Sequence, residues 1–104
     1  MGKVGGESGL EKQEITSVIR KNLGSVRGCY VALPQKTPKA AGKTVMKWNI
    51  LKTGKVGDTG IKMSSISDKD FRECMVEKVS SWEFPKHSAK EPVKITYPFM
   101  FSLD

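Results

Sequence analysis

Few residues in this chain could do chemistry. Cys29 and Cys74 are its only thiols and His87 its only imidazole. A metal site needs more ligands than these, and the three stand far apart in the sequence. A Cys-x-x-Cys redox motif is absent. His87 falls in a loop-like Lys-His-Ser-Ala stretch with no nucleophile or carboxylate patterned around it, which reads as a solvated histidine rather than a general base. Asp68 and Asp70 are better explained as the acidic start of a helix. A glycine-rich loop between a strand and a helix, as nucleotide binding would require, is also missing. The pattern is that of a protein with no catalytic, cofactor or metal residues. For the cysteines two roles remain: one disulfide, or two buried thiols acting as small hydrophobes.

The balance of charge narrows the partners. Eighteen Lys+Arg against eleven Asp+Glu leave a formal charge of +7, which favours an acidic partner or surface. The lysines are dispersed, however, as a solvated surface would have them. The 104 residues suffice for one domain with one core. No apolar run approaches the roughly 20 residues of a membrane span. Residues 1–9, MGKVGGESG, read as a glycine-rich linker remnant, and residues 10–104 as the domain. Any anchor or export signal would lie outside the chain.

The periodicities name the elements that must position these residues. Ser8 and Glu11 have capping-box spacing. After them Ile15, Val18, Ile19, Leu23, Val26, Cys29, Tyr30 and Leu33 form one apolar helical stripe, ended by Pro34. Thr44, Met46, Trp48 and Ile50 alternate with Lys43, Val45, Lys47 and Asn49, the pattern of a half-buried strand. Lys52-Thr53-Gly54-Lys55 makes a turn with Gly54 suited to positive φ. Val56 to Ser65 returns as a weaker strand, with Ile61 and Met63 inward. Ser67 caps a second helix whose stripe is Phe71, Cys74, Met75, Val79 and Trp82. Val93, Ile95, Tyr97, Phe99, Phe101 and Leu103 then alternate through the last strand.

The order is α-β-β-α-β, an α+β fold. Two helices should pack on one face of a three-stranded antiparallel sheet, leaving the other face open. A right-handed crossover through the second helix would set the last strand beside the first, in order 2-1-3. In the stretch SSWEFP, Trp82 and Phe84 would then plug the core while Pro85 stops the helix. Helices lying side by side would also bring Cys29 toward Cys74, which favours the disulfide over free thiols and, with it, an oxidising compartment.

Three runs, GKTVMKWNILKTGKV, WEFP and YPFMF, resemble the C-terminal domain of the TonB superfamily. The chain is most similar to the AgmX/PglI branch. That branch has a Cys-Tyr at the end of its first helix, here Cys29-Tyr30, and a second-helix cysteine, here Cys74. It also carries a W-x-F-P exit, here Trp82 to Pro85, and a YPF-x-F ending. The likeness runs from about Leu10 to Leu103, with Trp48 in its strand motif.

The resemblance implies the periplasmic domain of an inner-membrane-anchored protein of the cell envelope. Such domains grip a partner and transmit work derived from the proton motive force, and this branch is associated with gliding motility. It also implies strand addition, in which the last strand receives an extended peptide at the edge Lys94, Ile95, Thr96, Tyr97, Pro98, Phe99 and Met100. Pro98 departs from a simple transfer of that register. It lacks an N–H, requires an edge position, and protects the edge it occupies.

The leading expectation is therefore a protein–protein interaction module coupling an inner-membrane motor to an envelope partner. The hairpin tip at Lys52 to Lys55 would be a second contact. The alternative is a structural adaptor contacting peptidoglycan or an acidic scaffold without force transmission. A nucleic-acid reader is disfavoured: Lys43, Lys47, Lys62 and Lys94 would line the open face, but without the outward aromatics on which bases stack. Direct membrane insertion of this fragment is not expected, and its oligomeric state is left open.

Overall fold

The computed structural model describes residues 10–33 and 41–102. The expected linker over residues 1–9, the Ser8 half of the capping box, Pro34 and Leu103 lie outside the described residues. In chain order the elements are α1 (Lys12–Lys21), α2 (Leu23–Val31), β1 (Gly42–Ile50), β2 (Val56–Ser64), α3 (Lys69–Ser80) and β3 (Val93–Phe101). The sheet is antiparallel, in the order β2-β1-β3. The α+β reading and the strand order are as the sequence implied.

One long first helix was expected, and the structure breaks it at Asn22 into α1 and α2. Asn22 adopts φ −106° and ψ 8°. Its Nδ2 donates to the Val18 carbonyl at 2.8 Å, and Ser25 Oγ donates to the Asn22 carbonyl at 2.8 Å. Side chains that bond to nearby backbone in this way compete with helix continuation. At the start of α1, the Glu14 carboxylate accepts the Glu11 N–H at 3.0 Å, so the box lies three residues later than the Ser8–Glu11 spacing suggested. The cap of α3 also moves by one residue. Asp68 rather than Ser67 is the N-cap, its carboxylate accepting from Phe71 N–H at 2.9 Å.

β1 keeps its alternation. Thr44, Met46, Trp48 and Ile50 are all buried against the helical layer, and Thr44 Oγ1 lies 2.9 Å from Ser64 Oγ. β2 does not keep its alternation, because its pairing with β1 shifts twice. Val45 opposes Met63 and Met46 opposes Ile61, which leaves Lys62 as an extra residue. A bulge of this kind reverses the face that later residues occupy. Met63, expected inward, therefore sits beside Val45 on the open face and is 47% exposed, whereas Ile61 packs on the core. The second shift falls at Asp58 and Thr59, where Asp58 has φ 50°.

The SSWEFP stretch acts as the expected plug, and it also clamps the hairpin. Trp82 lies edge-on to Trp48, with ring centroids 5.9 Å apart, and Phe84 is 6.3 Å from Trp48. Trp48, Trp82 and Phe84 are buried, and Pro85 is exposed. The Phe84 N–H donates to the Gly54 carbonyl at 2.9 Å. Gly54 has φ +90°, and a Cβ there would run into the Phe84 carbonyl oxygen, so only glycine fits this turn. Cys29 of α2 and Cys74 of α3 form the disulfide, with Cα atoms 5.8 Å apart.

Candidate partner-binding edge

β3 pairs with β1 in continuous register from Gly42 opposite Phe101 to Ile50 opposite Val93. No other strand of the described residues pairs with its outer side. The sheet has a second edge, at β2, but two bulges and a left-handed Asp58 twist that edge away from regular pairing. The regular, addressable edge is β3.

Pro98 lies within this ladder, opposite Val45. A proline nitrogen has no hydrogen to give, so in an unbroken register its position must face away from β1. Residues of the same parity, Lys94, Thr96 and Met100, then turn their N–H and C=O groups outward, while Pro98 offers only a carbonyl.

The side chains at the edge divide by face. Lys94, Thr96, Pro98 and Met100 are exposed, and Met100 retains 72% of its surface. Ile95 and Tyr97 are half-buried, and Phe99 is a core residue 6.1 Å from the Trp82 ring. Phe99, opposite Thr44 and of the other parity, turns its backbone groups toward β1 and its ring into the core, so it holds the edge strand in place rather than facing a partner. The register puts Lys94 beside Asn49 and Met100 beside Lys43, so Lys43, Lys47 and Lys94 share the open face of β1 and β3. Lys62 instead occupies the bulge of β2.

Beside the edge runs a groove that the sequence did not reveal. It encloses about 470 Å³ between α2 and β3, with Leu23, Val26, Arg27 and Tyr30 on one wall and Tyr97 to Ser102 on the other. Leu23 is 39% exposed. Arg27 is exposed and forms no ion pair with a described residue. The ring of Tyr30 stacks on Phe101 at 5.1 Å and closes the floor.

His87 is not the solvated loop residue that its neighbours in sequence suggested. The Ala89 N–H donates to Nδ1 at 3.2 Å, and Nε2 lies 2.9 Å from the Ile50 carbonyl. Nδ1 is thus an acceptor, which makes Nε2 the donor to Ile50 and specifies the tautomer. Together with His87 N–H to Lys52 O at 3.1 Å, these bonds fasten the loop before β3 to the end of β1. At the hairpin tip, Lys55 Nζ lies 3.3 Å from Glu83 in an exposed pair. Among the described residues no group of His, Cys, Asp and Glu could hold a metal ion, and no helix is long and apolar enough to cross a membrane.

No family model matches the chain, and neither a curated protein nor a solved structure is significantly similar to it.

Proposed function

We propose that this chain is a non-enzymatic, periplasmic interaction domain of the TonB-like, AgmX/PglI type. It binds an extended segment of a cell-envelope protein by strand addition at β3 and couples that partner to an inner-membrane motor through an anchor outside this chain. The observation that carries the reading is the asymmetry of the two sheet edges: β2 is bulged, whereas β3 is regular and open. Added main-chain hydrogen bonds would supply affinity, and alternate side chains would supply specificity. The cross-link between Cys29 and Cys74 supports an oxidising compartment.

The test is a titration of the labelled domain with a soluble peptide of alternating threonine and valine, followed by NMR. The backbone amides of Lys94 to Met100 should shift far more than those of the helices. Pro98→Val restores an outward donor, so it should tighten binding or promote self-association through the edge. Silent β3 amides throughout would overturn the reading. The alternative, a structural adaptor on peptidoglycan or an acidic scaffold, draws on Lys43, Lys47 and Lys94 of the open face. It predicts binding that collapses with modest salt, because exposed charges beyond a Debye length of about 8–10 Å are screened.

A further inference from the structure

We propose that the groove between α2 and β3 selects the strand that β3 receives, and that the selected strand is acidic. The occupant is an extended segment of a partner protein carrying an aspartate or glutamate at an alternate position from an apolar residue, both turned toward α2. This inference rests on the strand-addition reading and specifies the partner for the same edge.

The argument starts from the pleat. Successive side chains of an added strand point to opposite faces of the sheet, so every second one enters the layer occupied by the helices. At the outer side of β3 that layer is the groove, where an incoming side chain meets Leu23 and Tyr97 on apolar surface and Arg27 as the charged group. α2, LGSVRGCYV, and β3, VKITYPFMF, contain no acidic residue; their only charges are Arg27 and Lys94. A shallower hollow continues around Met100 to Ser102 as far as Lys43, again without a carboxylate. Among the described residues of α2, β3 and this hollow, every charge is positive.

Arg27 is also unpaired within the described fold, so its guanidinium is available to a planar carboxylate that it can bind through two donors. A second copy of this chain complements the path poorly. In edge-to-edge pairing another β3 would offer Arg27 no carboxylate, and its one charge, Lys94, lies on the open face.

Three versions of the alternating threonine–valine peptide test this, one valine being replaced by aspartate, asparagine or lysine. All three should shift the β3 amides, because main-chain pairing is common to them. The aspartate peptide should bind about fivefold more tightly than the asparagine peptide, the upper range for a solvent-accessible ion pair, and should move the Arg27 side-chain signal. In Arg27→Glu the ranking should invert in favour of the lysine peptide. Arg27 is exposed, so that variant should melt with the parent protein. Equal affinities with a silent Arg27 would overturn the acidic selection while leaving strand addition standing. An aspartate peptide that binds without shifting the β3 amides would remove both. Concentration-dependent β3 shifts without peptide would identify a second copy as the occupant and refute the proposal.

Discussion

Reducing the Cys29–Cys74 bond should cost this domain a large part of its stability. The bond closes a loop with a sequence separation of 45, running from α2 through the whole β1–β2 hairpin to α3. In the chain-entropy account a loop of that size restricts the unfolded chain by about 13 cal/mol/K, or about 4 kcal/mol at 25 °C. Cys29 is buried in the core and Cys74, half-buried, packs against it. The reduced thiols would remain there as small hydrophobes, so little else offsets the loss. With about 4–8 °C of melting temperature per kcal/mol for a domain near this size, the midpoint should fall by about 15–30 °C. Circular-dichroism melts of oxidised and reduced protein measure the shift, with a Cys29→Ala/Cys74→Ala variant as the covalently open control. Hydrogen exchange should show α2 loosening before the β1–β3 ladder, since the cross-link ties α2 to α3. A loss below about 1 kcal/mol in both comparisons would refute the reasoning, because the loop would then already be closed in the unfolded chain.

Trp82→Ala removes a ring packed on Trp48 and Phe99, and should destabilise by about 3–5 kcal/mol in chemical denaturation. Gly54→Ala forces a residue with a Cβ to φ +90° against the Phe84 carbonyl, and should cost at least about 1–3 kcal/mol; an unchanged denaturation midpoint would contradict the clamp. His87→Ala should cost about 1–3 kcal/mol by stripping partners from the Ile50 carbonyl and the Ala89 N–H, whereas a merely solvated histidine would change stability by less than about 0.5 kcal/mol. Asp68→Ala should lose about 1 kcal/mol at the start of α3, and Ser67→Ala much less, since Asp68 holds the Phe71 amide.

Much of the scaffold was legible because its signals are local. Alternation from Thr44 to Ile50, and again through Phe101, reports a strand with one wet face, since a two-residue period admits no other burial. Gly54 announced its own positive φ. The break at Asn22 was hidden because the apolar stripe of α1 continues into α2 in nearly the same phase, while the side-chain bonds that interrupt it leave no mark on hydrophobicity. Met63 was misplaced for a related reason. Its face depends on a bulge, and a bulge belongs to the pairing of two strands rather than to the spelling of one.

What the sequence determined by itself is the order of helical and extended segments, the buried faces of β1 and β3, and the net positive charge. Short-range sterics and hydrophobic period are enough for that. Which edge stays regular, which groups flank it, and where His87 finds its acceptor were decided only by tertiary structure. Each depends on residues far apart in the chain: Arg27 beside β3, Phe84 on Gly54, His87 on Ile50. Such contacts form only after chain entropy has been offset by burial of the common core, so no local pattern encodes them singly.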